Sequence, residues 1–255
     1  MQDISPDRLW GMYVMEAVGS FVILMVIQQA HIFEFSAFAI SLSFLVAVVI
    51  AAKISGAHLN GAVTITLALN SVKTEKVPLQ PGEKVYKYIF AQVVGGVCAS
   101  LVCAMLHGAD SLVKIQHAST ISLSQAFILE FIYTFILCTV VGILCSDAYK
   151  QTHDPTIIGS LVAASVFLAS MALGDKTGGV INPSVAISAI LSRGITQGNS
   201  TEFETLWLYI LAPCCAGFIS HMLYDKTLRP ALLKSFAKKN TITNDGNEIL
   251  LANMK

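Results

Sequence analysis

Two related stretches set the architecture of this chain, SGAHLNGAVTITLALNSV at residues 55–72 and TGGVINPSVAISAILS at residues 177–192. Each has a loop of small residues, then an asparagine, Asn60 or Asn182, and then a short run of small and apolar residues. Ten helical residues rise about 15 Å, half of the roughly 30 Å hydrocarbon core of a bilayer. Each stretch is therefore too short to cross a membrane alone.

The rest of the chain is strongly apolar. Hydrophobic residues make up 55% of its 255 residues and charged residues 13%, against about 25% charged in a soluble domain. This composition excludes an ordinary soluble enzyme. Six segments are long enough to span a bilayer. They are residues 9–29, 36–53, 86–106, 121–145, 156–173 and 205–224.

The chain also repeats itself. YIFAQ at 88–92 matches YILAP at 209–213, and Glu16 in the first segment corresponds to Glu130 in the fourth. Together with the two short stretches, these agreements indicate two related halves. Each half holds three full spans, an odd number, so the second half enters the membrane upside down. The sequence predicts an all-α membrane protein with six transmembrane helices and two re-entrant half-helices in two inverted repeats.

Charges and cysteines limit the partners. Sixteen basic residues balance sixteen acidic ones, which offers no argument for nucleic-acid binding. Thirteen of the basic residues fall on the side that carries both termini, so the positive-inside rule predicts cytosolic termini. Asn199 in a glycosylation sequon then lies outside, and whether it is modified stays open. The six cysteines lie in apolar stretches without metal-ligand spacing, so we expect no metal and no cofactor.

The two short stretches together predict a pore. Backbone at mid-membrane depth must be enclosed by protein or line a watery cavity. Each half-helix begins after an asparagine, so two amides and the positive ends of two helix dipoles meet near the bilayer centre. Neutral polar solutes can bond to the amides there, whereas cations are repelled. The predicted pore centre consists of Asn60, Gly61, Ala62, Asn182, Pro183 and Ser184.

The loops before the half-helices supply further groups. Their carbonyls have no helical partner and can line the pore as acceptors. The predicted carbonyl ladder comprises Gly56, Ala57, His58, Gly178, Gly179 and Val180. Glu16 and Glu130 are carboxylates within apolar spans, and a proton relay is one reading of such groups. We favour the alternative that they accept hydrogen bonds from the loop amides and support the loops.

These residues resemble the aquaporins, the major intrinsic proteins, whose signature is two Asn-Pro-Ala boxes at the starts of two half-helices. The boxes here read NGA at 60–62 and NPS at 182–184, and Val185 stands where most members have an arginine. The resemblance covers about residues 9–225 and implies a homotetramer with one pore per subunit. By the family pattern, the outer constriction consists of Ile40, Ser170, Gly179 and Val185.

The sequence thus predicts a channel domain at 9–225, with inverted repeats at about 9–106 and 121–225. A cytosolic N-terminus, 1–8, and a cytosolic tail, 226–255, flank it. We expect a passive channel in membrane lipid for water and small uncharged solutes such as glycerol, urea, ammonia and hydrogen peroxide. The alternative is a secondary transporter, since carriers also use inverted repeats with broken helices. No nucleophile and base converge, so an enzyme is not expected.

Overall fold

The computed structural model describes residues 6–30, 35–71, 83–146, 154–198 and 201–235. Every regular element in these ranges is helical. The helices are α1 Pro6–Ala30, α2 Ser36–Ser55, α3 Gly61–Ser71, α4 Glu83–His107, α5 Leu123–Leu144, α6 Pro155–Thr177, α7 Pro183–Gln197 and α8 Leu206–Leu223. The predicted glycosylation site at Asn199 and the tail beyond residue 235 lie outside the described residues.

The six predicted spans are confirmed as α1, α2, α4, α5, α6 and α8, each long and apolar enough to cross a membrane. Their outer surfaces expose large apolar side chains, among them Phe38, Phe90 and Met105. Soluble monomers rarely expose continuous apolar surface of this kind. The bundle is therefore built to face lipid on its outside, as the composition predicted.

The half-helices α3 and α7 link the two repeats. Helix α3 packs on α8, a span of the second repeat, and α7 packs on α4, a span of the first. Glycines permit both approaches: a Cβ at Gly217 of α8 would lie 2.7 Å from the Ala62 carbonyl oxygen, and one at Gly96 of α4 would collide with the Ser188 hydroxyl. Each half-helix is thus held by the other half of the chain.

Helix α8 does not stop where the span ends. It continues through a π-helical turn, Tyr224–Leu228, and the chain stays helical to residue 235. The last residues of α3 and α5 and the residues that follow α8, among them Tyr224 and Asp225, line one common cavity, so these three helices end at the same face of the bundle. We call this face, at which the last span ends, the terminal face.

Candidate functional site

The tips of α3 and α7 meet inside the bundle. Asn60 Nδ2 donates to the Ile181 carbonyl at 2.9 Å, and Asn182 Nδ2 donates to the Leu59 carbonyl at 2.9 Å. Each asparagine therefore bonds the last loop carbonyl of the other repeat. Both are almost fully buried. The two loops and the two helix tips form one reciprocal unit, which we call the asparagine pair.

Each asparagine also caps its own half-helix. Asn60 Oδ1 accepts from the Ala62 amide at 2.8 Å, and Asn182 Oδ1 accepts from the Ser184 amide at 3.0 Å. Such caps satisfy amide groups that have no partner within the helix. Because each amide oxygen points back to its own half-helix, each NH₂ group points toward the loop of the other repeat. An NH₂ group has two hydrogens, and the bond to the loop carbonyl uses one of them.

The six predicted pore-centre residues are brought together by these contacts. Gly61 and Pro183 begin the two half-helices and lie against each other, because a Cβ at Gly61 would be only 2.9 Å from Pro183 Cγ. The same Cβ would be 3.1 Å from the Ser184 hydroxyl. Ser184 in turn donates to Gln92 Oε1 at 2.7 Å. Gly61 and Ser184, the two residues that differ from the Asn-Pro-Ala boxes, thus lie next to each other.

Glu16 is completely buried and holds the first loop. Its Oε1 accepts from the Ser55 hydroxyl at 2.7 Å and the His58 amide at 2.9 Å. Its Oε2 accepts from the Leu59 amide and from Gln92 Nε2, both at 2.8 Å. Four donors converge on one carboxylate, which satisfies a buried group that would otherwise be very costly.

Glu130 holds the second loop in the same way. Its Oε1 accepts from the Thr177 hydroxyl at 2.6 Å and the Val180 amide at 3.0 Å, and its Oε2 accepts from the Ile181 amide at 2.7 Å. The hydroxyl and both amides correspond to those at Glu16, shifted by the repeat distance. The two carboxylates therefore have matching partners in the two repeats.

Both loops have the backbone conformation that such support requires. Helices α2 and α6 end at left-handed glycines, Gly56 and Gly178, with φ of 90° and 87°. Leu59 and Ile181, just before the asparagines, also have positive φ, 51° and 41°. These conformations are unfavourable for side chains with a Cβ. The carboxylates and the asparagine pair hold the loops there.

Part of the predicted carbonyl ladder borders open space. Gly56, Ala57 and His58 line a narrow cavity of about 20 Å³ that extends to Asn60, and room of this size holds about one water. Gly178 is exposed, and Gly179 and Val180 are half-buried. The carbonyls of Leu59 and Ile181 accept from the asparagines instead.

Of the four residues predicted for the outer constriction, Gly179 lies in the second loop, and Ile40, Ser170 and Val185 lie on α2, α6 and α7. Gly179 lies against α6, since a Cβ there would be 3.0 Å from the Ala169 carbonyl oxygen. Ser170 follows Ala169 on α6 and is half-buried. Val185 is buried in the main hydrophobic cluster, against which Ile40 packs. None of these four side chains carries a charge.

Three supporting residues were missed as site residues. The Tyr88 hydroxyl donates to the Ser55 carbonyl at 2.7 Å, and the Tyr209 hydroxyl donates to the Thr177 carbonyl at 2.9 Å. Gln92 donates to Glu16 and accepts from the Ser184 hydroxyl, so it links Glu16 to the second half-helix. The YIFAQ and YILAP repeat was the signal for both tyrosines. Their matched positions marked them as equivalent, but only the fold shows what they bond.

Comparison with known proteins agrees with this geometry. Residues 10–224 match the family "Major intrinsic protein". The aquaglyceroporin of Plasmodium falciparum (isolate 3D7) is 30% identical over 195 residues, covering 72% of this chain and 72% of that protein. Aquaporin TIP2-3 of Arabidopsis thaliana is 28% identical over 192 residues, covering 74% of this chain and 69% of that protein.

A solved structure gives the same fold. The X-ray structure of the aquaglyceroporin from Plasmodium falciparum superposes with a TM-score of 0.77 at 23% identity, covering 88% of this chain and 98% of that chain. The family match spans most of the described helices, including both half-helices and their asparagines. On this sequence match and this fold, the chain belongs to the major intrinsic protein family.

Proposed function

We propose that this protein is a passive transmembrane channel for water and small uncharged solutes. The observation that carries the proposal is the asparagine pair. Two half-helix tips, tied to each other by reciprocal hydrogen bonds of 2.9 Å, present amide N–H groups inside an apolar bundle. A solute oxygen that reaches this point replaces part of its water shell by the remaining N–H of each asparagine.

Exclusion of cations follows from the same tips. The N-terminus of a helix carries about half a positive charge, and α3 and α7 both begin at the asparagine pair. The carboxylates of Glu16 and Glu130 together accept seven hydrogen bonds from the loops and from Gln92, which stabilise their charges locally. A cation or proton at the tips therefore meets positive potential in a medium of low dielectric constant.

The range of solutes depends on the outer constriction, for which we propose Ile40, Ser170, Gly179 and Val185. The set has one hydroxyl and no charge, and Gly179 adds no side chain. Such a constriction is wider and binds solutes less strongly than one with an arginine. We therefore propose passage of glycerol, urea, ammonia and hydrogen peroxide in addition to water.

The family and the locked tips favour a channel over the secondary transporter. A carrier must expose its site alternately to each side, whereas here each half-helix is packed against the opposite repeat and bonded to the opposite loop. Family membership likewise favours a channel over an enzyme. We also propose that residues 9–225 form the channel domain, that both termini are cytosolic, and that the protein assembles as a homotetramer in lipid.

Stopped-flow measurements on proteoliposomes test the proposal. Water, glycerol, urea and ammonia gradients are applied to the purified protein, with a proton-leak control. We expect water permeability well above that of protein-free liposomes, without proton leak and without need of an ion gradient. Flux that requires an ion gradient would favour the transporter, and the absence of any added permeability would refute the channel.

Val185→Arg tests the outer constriction. The longer, charged side chain should reduce glycerol and urea flux more than water flux. Val185→Met is the matched control, since it adds length without charge and separates the two effects. Size-exclusion chromatography in detergent verifies that both variants fold. Equal losses for all solutes would show that Val185 lies away from the constriction.

A further inference from the structure

The connection between α4 and α5 is folded back onto the bundle. We call residues 108–122 the outer loop, and it lies at the opposite end of the bundle from the terminal face, because α5 begins where this loop ends. Most connections have about four to six residues, and longer ones are often functional. A loop on the surface is normally exposed, yet Leu112 and Ile115 are only 3% and 5% exposed. The outer loop is therefore part of the packed structure.

Two side chains of α7 hold carbonyls of the outer loop. Arg193 Nη1 donates to the Leu112 carbonyl at 2.8 Å, and Gln197 Nε2 donates to the Ala109 carbonyl at 2.9 Å. Residues four positions apart lie on the same face of a helix, so one face of the second half-helix is bonded to the loop at two points. We call Arg193 and Gln197 the loop clamp.

Arg193 is itself oriented by an ion pair. Its Nε donates to Glu202 Oε1 at 2.8 Å, and the side chains of Arg193 and Glu202 are 14% and 2% exposed. A guanidinium is a rigid fork whose N–H groups point in fixed directions. With Nε on Glu202, the fork directs Nη1 at the Leu112 carbonyl. A lysine, which has a single ammonium group, does not reproduce this pair of directed bonds.

The outer loop is also bonded to the first repeat. The Val113 amide donates to Gln28 Oε1 of α1 at 2.7 Å, and Gln28 Nε2 donates to the Ser100 hydroxyl of α4 at 2.8 Å. Gln28 is only 1% exposed. Because Leu112 and Val113 are neighbours in the chain, the loop is fixed at this point between α7 on one side and α1 and α4 on the other.

The outer loop in turn contacts the second re-entrant loop, which carries Gly179 of the proposed constriction. The Ala118 amide donates to the Lys176 carbonyl at 2.7 Å, three residues before Gly179. Ile115 belongs to a buried apolar cluster with residues of α7, and Val180 of the second loop packs against that cluster. A displacement of the outer loop therefore acts on the second loop through a hydrogen bond and through apolar packing.

We propose that Arg193 and Gln197 are positioning residues for the outer constriction. They hold the outer loop against the second loop, which fixes Gly179 and Val180 in place and limits the width of the opening there. The inference rests on the proposed channel function and deepens it, because it assigns control of the solute range to residues beyond the four of the constriction. Neither residue of the loop clamp has to touch a solute to act in this way.

Solute selectivity in proteoliposomes tests the loop clamp. Water, urea and glycerol permeabilities are measured by stopped-flow for the unmodified protein, Arg193→Lys and Gln197→Leu. Each variant removes a bond to a loop carbonyl, so the second loop can move outward and the opening widens. We expect the urea-to-water and glycerol-to-water permeability ratios to rise about two- to tenfold, which corresponds to one ordinary hydrogen bond. A loss of folded protein alone would lower all permeabilities together and leave these ratios unchanged.

Two control variants separate selectivity from stability. Glu202→Gln keeps an oxygen for Arg193 Nε and leaves the bond to Leu112 in place, so it should lower the unfolding temperature without changing the ratios. Thr139→Val removes the hydrogen bond of 3.1 Å to Ser220, in the half of α5 that is remote from the outer loop, and should also leave the ratios unchanged. Size-exclusion chromatography in detergent verifies that all four variants fold.

The outcomes separate the two proposals. Unchanged ratios in both Arg193→Lys and Gln197→Leu, with normal water flow, would refute the loop clamp and leave the channel intact. Ratios that rise as much in Glu202→Gln or Thr139→Val would show a general loosening of the bundle and would refute the clamp as well. Absence of water flow from the unmodified protein would refute the channel and, with it, this inference.

Discussion

Glu130→Gln tests whether the buried carboxylates act as loop supports. Glu130 accepts three hydrogen bonds, from the Thr177 hydroxyl and the amides of Val180 and Ile181. A glutamine of the same shape has one oxygen and one NH₂ group. The Thr177 hydroxyl can rotate and accept, but the two backbone amides cannot. Whichever way the new amide turns, its NH₂ group faces one backbone N–H.

The magnitude follows from that one group. A buried N–H without an acceptor costs about 1–3 kcal/mol. For a protein of this size, each kcal/mol lowers the unfolding temperature by about 2–4 °C, so Glu130→Gln should lower it by about 2–12 °C. Glu130→Leu leaves both amides unpaired and should cost about twice as much. Water permeability should fall in the same order, because Ile181 supplies the carbonyl that accepts the hydrogen bond from Asn60. Weaker support of the second loop therefore also disturbs the asparagine pair.

Thermal unfolding in detergent and stopped-flow water permeability are the assays. Glu204→Gln is the matched control, because Glu204 is exposed on a 3-10 turn near the start of α8, and it should change neither quantity. Unchanged stability and water flow in Glu130→Gln, together with a changed proton leak, would refute loop support and favour a proton relay.

Two further predictions concern a close packing contact and a largely buried ion pair. Gly61→Ala should lower stability and water permeability, because the new Cβ would lie 2.9 Å from Pro183 Cγ and 3.1 Å from the Ser184 hydroxyl. Adding Ser184→Ala should restore part of the loss. A double variant with no recovery would show that Ser184 does not limit the space around residue 61. Arg193→Met should cost about 1.5–3 kcal/mol, measured as a lower unfolding temperature, because it removes the charge-assisted hydrogen bond of 2.8 Å between Arg193 Nε and the Glu202 carboxylate. Arg193 also donates to the Leu112 carbonyl at 2.8 Å. A loss below about 1 kcal/mol would mean that this pair behaves as an exposed salt bridge.

The spans and the repeats could be read from the sequence. Length and apolar composition are local properties, so α1, α2, α4, α5, α6 and α8 follow from them, and the paired asparagines and glutamates follow from internal symmetry. The starts of α3 and α7 at Gly61 and Pro183 were also predicted, because an asparagine before a short apolar run indicates a helix start. The pore and the outer constriction are predictions that solute flux tests, and the cytosolic termini are a prediction from the distribution of basic residues.

Other features needed the tertiary structure. The contact of Asn60 with Ile181 joins residues 121 positions apart, and that of Gln92 with Ser184 joins residues 92 apart. The sequence showed that Gly61 and Ser184 depart from the family boxes, but not that they share one space. No local pattern marks Gln28 or Arg193, because each acts through a partner distant in the sequence.

Sequence alone therefore determined which segments enter the lipid, in what order, and where each half-helix begins, because these depend on local hydrophobicity and on helix length. The three-dimensional packing decided which polar atoms of the two repeats pair with each other. Hydrogen bonds act over about 3 Å, and only the folded bundle brings residues from opposite repeats within that distance.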